Sequence, residues 1–334
     1  MAFFFDNKLF DRFSLIFFNG QVGVTIFFII SGFLITYLLL IEENKTGSIS
    51  LKKFYFRRTI RIFPAYYFLL FVYFILQQVG ILYFDKISWI TSLTYTKQFG
   101  YGIGESTVHL WSLSVEEIFY LVWPFLFSQF RKKRNLIILI GIIAVTIGRY
   151  FEYRYPKPLL GNTIFSAGDA LLIGCWFATR YQWMKQSVKK NYLIPLALFL
   201  IFSILLYAYT YHLESVANPN ALMLTVINYF TPLFYAIFGN IGLVTIILMM
   251  LIIFSSINIS NKWWFTFLNS KVMSFIGKIS YGIYLWQGLF TSNIPFFRRF
   301  PIGILVLFIL GASLFSYFLI EKPLLQLKKK YEVV

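Results

Sequence analysis

The chain has 334 residues, 59% of them hydrophobic, 22% aromatic and 13% charged, with a net charge of +17. An ordinary soluble domain is about 45–50% apolar and about 25% charged, so a soluble enzyme and a disordered chain are both excluded, and an all-α polytopic membrane protein is the class that fits. A single cysteine, Cys175, and two histidines, His109 and His212, exclude an internal disulfide framework and leave no basis for a thiolate or multi-histidine metal site.

A helix needs about 20 apolar residues to cross a bilayer. The hydropathy pattern predicts nine spans, at 22–41, 62–84, 112–130, 135–151, 164–180, 192–211, 239–257, 274–294 and 302–320. The apolar stretch 222–238 is interrupted by Asn228, Thr231 and Pro232 and reads as a half-helix or interfacial segment leading into the span at 239–257. One set of loops (42–61, 131–134, 180–191, 258–278, 321–334) holds 21 of the 30 basic residues, and the other set (1–21, 85–111, 149–162, 212–221, 295–301) holds 9. The positive-inside rule makes the first set cytoplasmic. The expectation is one transmembrane domain over 1–334, with 1–21 as an external loop and a cytoplasmic tail at 321–334. No repeat or linker marks a second domain.

Polar groups stand where a membrane makes them expensive. In HLWSLSVEEIFYLVWP, at 109–124, His109, Ser112, Glu116 and Tyr120 are spaced by three, four and four residues, which places them on one helix face. Glu116 and Glu117 are adjacent carboxylates, each costing on the order of 2.5–3.5 kcal/mol inside a span if left unpaired. They suit acid/base or substrate-orienting work, and equally an ion pair with an arginine from a neighbouring helix. In KKFYFRRTIRIFPAYY, at 52–67, Arg57, Arg58 and Arg61 stand at the mouth of a span. Their guanidinium forks match phosphate oxygens, although snorkelling to lipid phosphates would use the same chemistry. Ser31 and Gly32, with Gly23, in GVTIFFIISGFLI, give a flat, small surface for close helix packing. Asp169 lies early in a span and needs a partner. Tyr281, Tyr284 and Gln287 share one span, and Glu321 ends the last one, placed to meet an arginine near the cytoplasmic face.

Taken in order, these segments resemble acyltransferase family 3, the integral-membrane O-acyltransferases of surface polysaccharides. The segment HLWSLSVEEIFYLVWP is nearly identical to the family's WSLSVEEQFYLxWP. GVTIFFIISGFLI, FYFRRTIRIFPAYY, GDALLIGCWFA, IGKISYGIYLWQ and IEKPLLQL resemble its other motifs, so the likeness runs over about residues 22–327. In the family a helix ahead of the first of these motifs carries the histidine usually taken as catalytic. The resemblance implies that this chain starts after that helix, which would restore ten spans with both ends inside. Gln287 stands where the family commonly has histidine, and it cannot act as a base.

The implied activity is transfer of an acyl group, most often acetyl, from a cytoplasmic acyl-CoA to a hydroxyl of an extracytoplasmic glycan, with no permanently bound cofactor. Arg57, Arg58 and Arg61 would hold the phosphates of coenzyme A. His109, Glu116, Glu117 and Tyr120 would form the catalytic face. Ser31, Trp111, Ser112, Asp169, Tyr281, Tyr284, Gln287 and Glu321 would be substrate-facing or structural polar groups, and Ser112, Tyr120 and Tyr284 could supply donors to an oxyanion. The partners are acyl-CoA, a hydroxyl acceptor and the lipid bilayer, with no role for nucleic acid. A catalytically silent binding member and a transporter of lipid-linked sugar are the alternatives.

Overall fold

The computed structural model describes residues 20–99, 105–155, 164–187, 193, 196–201, 203–204, 229–238, 242–257, 263–292 and 294–328. In chain order the α-helices are α1 (Gly20–Thr46), α2 (Leu51–Gln78), α3 (Lys86–Leu93), α4 (Leu110–Gln129), α5 (Arg134–Arg154), α6 (Ile164–Thr179), α7 (Tyr181–Ser187), α8 (Thr231–Phe238), α9 (Leu243–Ile257), α10 (Trp263–Leu268), α11 (Lys271–Thr291), α12 (Ile302–Ser316) and α13 (Lys322–Lys328). No strand occurs among the described residues. Lipid offers no hydrogen bonds to the backbone, and a helix satisfies its own groups within one segment.

Among the described residues, six stretches are long and apolar enough to cross a membrane: Gly20–Thr46, Leu51–Gln78, Leu110–Gln129, Arg131–Arg154, Thr231–Ser255 and Ile302–Gln326. Their outward faces carry Phe71, Leu121, Leu307 and Leu319, each more than half exposed, which suits lipid and not water as their neighbour. The chain is therefore an all-α, multi-pass membrane protein. The spans expected at 164–180 and 274–294 are the helices α6 and α11. The one expected at 192–211 falls largely outside the described residues, as do His212 and residues 1–19.

Two compact units can be distinguished. The first comprises residues 1–40, 130–159 and 164–260. Within it α5 and α6 pack along their length, and α8 and α9 lie against them. Of the small residues of GVTIFFIISGFLI, Gly32 does the packing expected of it, whereas a Cβ on Gly23 would meet nothing within 4 Å. A Cβ on Gly32 would come within 1.9 Å of the Leu171 carbonyl oxygen, and one on Gly174 within 2.2 Å of that of Ile29. Backbone meets backbone where α1 crosses α6, as small residues permit in membrane helix pairs.

The second unit comprises residues 41–129, 160–163 and 261–334. It is built on α2, with α4, α11 and α13 against it and α12 beside α11. Helix α2 starts at Leu51, behind the extended Ser50, eleven residues before the expected span. Arg57, Arg58 and Arg61 therefore stand on the helix itself and not in a loop, and Pro64 lies in its interior. Lysine and arginine are good helix formers whose stems reach along apolar surface while the charge stays wet, so hydropathy alone underestimates such a start.

The largest departure from expectation is the loop predicted over 85–111. It holds α3, capped by Asp85, whose carboxylate accepts from the Ser88 N–H at 3.0 Å. That hydrogen bonding holds Asp85 below the usual carboxylate range. From there the segment runs down along α2. Trp89 donates from Nε1 to Gln77 at 2.7 Å, the Tyr67 hydroxyl donates to the Leu93 carbonyl at 3.1 Å, and the Tyr66 hydroxyl donates to the Ser92 carbonyl at 2.8 Å. Tyr95 then stacks on Tyr66 at 4.2 Å and on Phe63 at 5.4 Å. From Gln77 to Phe63 is roughly 20 Å along the helix axis at 1.5 Å per residue, well below the Gln78 end of α2. Further along the chain, the Ser106 carbonyl accepts from the Tyr73 hydroxyl of α2 at 2.9 Å. Residues 85–99 thus form a re-entrant segment, whose irregular backbone is tolerated at membrane depth where groups of α2 satisfy it. The tyrosines of α2 satisfy carbonyls at the C-terminus of α3 that lipid could not.

The turn at the tip is a Schellman cap. Thr96 N–H donates to the Thr91 carbonyl and Tyr95 N–H to that of Ser92, with Tyr95 at φ 54°. The same pair of bonds ends α2, where Ile81 and Gly80 donate to Leu76 and Gln77, but there a glycine takes the left-handed position, at φ 73°. A tyrosine in that position costs about 1–2 kcal/mol relative to glycine.

Candidate active site

Two clusters in the second unit gather most of the residues singled out from the sequence. The first lies along the N-terminal half of α2. Arg57 is not free. Its guanidinium lies 3.1 Å from Glu42 Oε2, and the other oxygen of Glu42 accepts from the Ser50 N–H at 2.9 Å. The Glu42 side chain is 3% exposed, so the pair clamps the end of α1 to the start of α2. Arg58 lies over the Tyr120 ring, 4.6 Å from its centroid, and over Phe54 at 5.7 Å, which is cation–π geometry. Arg61 is exposed at the helix surface and interacts electrostatically with Arg58, Tyr120, Glu116 and Glu321. Neither Arg58 nor Arg61 forms an ion pair among the described residues. Glu116 is buried and accepts a hydrogen bond from the Tyr120 hydroxyl one turn on. Glu321 ends a π-helical turn, Tyr317–Glu321, and accepts from Ser316 at 3.2 Å. The arrangement is two cations without close counter-ions, with two carboxylates in their field.

The second cluster is at the other end of α4. The Tyr284 hydroxyl donates to the His109 carbonyl at 2.5 Å and accepts from Ser112 Oγ, also at 2.5 Å. His109 Nε2 lies 3.1 Å from the Leu285 carbonyl. Burial pushes the imidazole down to about 4, so the ring is neutral at pH 7. A carbonyl can only accept, so Nε2 carries the hydrogen and Nδ1 presents a lone pair. Nδ1 is buried and has no hydrogen-bond partner among the described residues. The ring fits because residue 288 is glycine: a Cβ there would come within 1.8 Å of it. Gly288→Ala is therefore expected to expel the imidazole while leaving α11 helical. A drop in activity of about tenfold or more, with melting temperature changed by only a few degrees, would check this, and unchanged kinetics would show that the ring position is immaterial.

The hydroxyls of Ser112, Tyr120 and Tyr284, expected as oxyanion donors, are thus engaged with protein acceptors. Trp111 opens α4 half-buried, and Gln287 lies half-buried one turn beyond Tyr284. Tyr281 donates to the Ile62 carbonyl at 3.0 Å. The remaining two residues belong to the first unit. Ser31 is buried in α1, and Asp169 has found its partner: Arg149, which is 1% exposed, pairs with Asp169, which is 0% exposed. Arg149 also donates to the Phe165 carbonyl at 3.1 Å and to that of Ala236 at 3.4 Å. This buried pair ties α5, α6 and α8 together. The sequence reading missed Glu42, Arg149 and Tyr95. A carboxylate fifteen residues ahead of the arginines was a usable signal for Glu42; nothing local marked the other two. No cluster of potential metal ligands occurs among the described residues.

Comparison with known proteins bears on what these clusters do. The chain matches the acyltransferase 3 family, described as "Acyltransferase domain", over residues 1–321. It is 28% identical over 342 residues to the O-acetyltransferase OatA of Staphylococcus aureus, covering 92% of this chain and 53% of that protein. It is 30% identical over 295 residues to the peptidoglycan O-acetyltransferase OatA of Listeria monocytogenes, covering 80% of this chain and 44% of that one. The putative peptidoglycan O-acetyltransferase YrhL of Bacillus subtilis is 25% identical over 336 residues, covering 92% and 50%. The chain thus spans about half the length of the curated relatives it matches. No solved structure matches it significantly. With its multi-pass helical architecture and a family match over nearly its whole length, the chain belongs to the acyltransferase 3 family of membrane acyltransferases.

Proposed function

We propose that this chain takes an acyl group, most simply acetyl, from a cytoplasmic acyl-CoA and delivers it to a hydroxyl of a cell-envelope glycan, with peptidoglycan the leading acceptor. The donor reading is carried by Arg58 and Arg61. They are two guanidinium groups without ion-pair partners among the described residues, set about one helical turn apart, and such forks match pyrophosphate oxygens. Arg57 has the supporting part of fixing the helix start through Glu42. The charge bias of the loops supports a cytoplasmic position for this end and a cytoplasmic C-terminus in the inner membrane. The acceptor reading is supported by the relatives named as peptidoglycan O-acetyltransferases.

In the transfer, the acceptor oxygen bonds to the thioester carbonyl carbon, the C–S bond breaks, and the hydroxyl proton ends on the departing thiol. The test is to supply the purified chain in nanodiscs with acetyl-CoA labelled in the acetyl group, together with peptidoglycan fragments. Label in ester linkage to the fragments is the expected result. Label that stays on coenzyme A would overturn the reading.

A further inference from the structure

Gln98 lies in the short helical turn Lys97–Phe99, just beyond the tip of the re-entrant segment, and that turn packs against α3 and α4. The residue is 0% exposed. Both ends of its carboxamide, Oε1 and Nε2, are buried and have no hydrogen-bond partner among the described residues. Lys97, beside it in the turn, is 0% exposed as well. Three residues earlier, Tyr95 stacks on Tyr66 and Phe63, which sets the tip within about 10 Å of the level of Arg61 along the axis of α2. Elsewhere in this unit His109 Nδ1, the Tyr95 hydroxyl, Glu117 Oε1 and Trp286 Nε1 are also buried without partners among the described residues, but each offers a single atom.

Orphaned buried polar atoms are costly, and native chains keep few of them. Gln98 leaves two on one planar group, a donor and an acceptor whose separation and direction the carboxamide itself fixes. Whatever satisfies both must present an acceptor and a donor side by side. Neighbouring substituents of a sugar ring do so: a hydroxyl oxygen accepts from Nε2 while the hydroxyl or acetamido N–H on the next carbon donates to Oε1. A trans amide, as in the arm of coenzyme A, holds its N–H and C=O on opposite sides and meets only one end. A few placed polar groups in otherwise apolar surroundings are also how ligand sites fix orientation.

We propose that the Gln98 carboxamide is a sugar-binding group, Nε2 donating to a hydroxyl of a glycan and Oε1 accepting from the hydroxyl or acetamido N–H on the adjacent carbon. The sugar site rests on the buried carboxamide alone. Only the naming of that sugar as the acyl acceptor rests on the transferase reading above, and the level of the tip suits it, because the thioester of an acyl-CoA extends beyond phosphates held at Arg61. A buried water would satisfy the same two atoms, and the experiment separates the two.

The purified full chain in nanodiscs is titrated with chitotetraose, an oligosaccharide of N-acetylglucosamine, without donor, and binding is read by saturation-transfer NMR. The wild type is expected to bind. Gln98→Met keeps the length of the side chain and removes both polar ends, so binding weakens by about 10- to 30-fold, the loss of two hydrogen bonds. Its melting temperature stays at or above that of the wild type. Permethylated chitotetraose accepts but cannot donate, and is expected to bind the wild type about fivefold more weakly than chitotetraose, or worse. Absence of chitotetraose binding by the wild type overturns the proposal, as does equal binding by Gln98→Met or of the permethylated sugar. A lowered melting temperature of Gln98→Met in that case identifies a buried water as the partner. Protection from proteolysis by acetyl-CoA reports separately on the donor and is expected to be unchanged in Gln98→Met. Its loss there, with chitotetraose binding intact, overturns the sugar site in favour of the donor's amides. Chitotetraose binding that depends on Gln98, in a chain that acetyl-CoA does not protect, leaves the sugar site standing and sinks the donor reading.

Discussion

Arg57→Ala and Arg61→Ala are expected to fail in different ways, although both remove an arginine from one helix face. In Arg57→Ala the Glu42 carboxylate stays behind, 3% exposed and without its closest cation. Removing one partner of a largely buried pair costs about 3 kcal/mol or more. The melting temperature and the yield from membranes should fall, and Glu42→Gln introduced alongside should restore much of both. Arg61→Ala breaks no ion pair among the described residues, since Arg61 lies at the helix surface, and removes only one of the two cations whose field reaches Glu116 and Glu321. Its fold should survive. Acetyl-CoA binding should weaken by roughly 10- to 100-fold, the equivalent of one or two charged hydrogen bonds of ~1.5 kcal/mol each. Protection from limited proteolysis by acetyl-CoA measures this directly. Full protection of Arg61→Ala would remove the arginines from the donor site.

The second large effect is expected in the first unit. Asp169→Ala strands Arg149 among α5, α6 and α8, and Arg149→Ala strands Asp169; both side chains are almost wholly buried. Each single change is expected to cost about 3–5 kcal/mol. The joint replacement Arg149→Met/Asp169→Leu keeps the volume, removes both charges, and should recover most of that loss. Thermal unfolding of the detergent-solubilised chain, with retained activity in the double variant, checks the prediction. A catalytic Asp169 would instead leave the double variant stable and inactive.

Much of the fold was legible in the chain. Apolar runs of span length, a charge bias between loops and the polar face of the 109–124 segment all follow from local chemistry, because lipid forces each crossing helix to satisfy itself. The motif order identified the family on the same basis. What stayed illegible depends on contacts distant in sequence. The segment 85–99 contains Lys86, Lys97 and turn residues and reads as part of an external loop; tyrosines on α2, satisfying its carbonyls one after another, help hold it at membrane depth. Sequence marked Asp169 as needing a partner and could not name Arg149, twenty residues away on another helix. It placed Ser112 and Tyr284 as free donors, whereas packing turned the Tyr284 hydroxyl onto the His109 carbonyl and Ser112 onto Tyr284. Composition and periodicity decided which segments are helices and which faces are polar, since those are properties of each segment in its solvent. Tertiary structure decided which polar groups are satisfied and which are left open, since a hydrogen bond needs a partner that only the packed chain supplies.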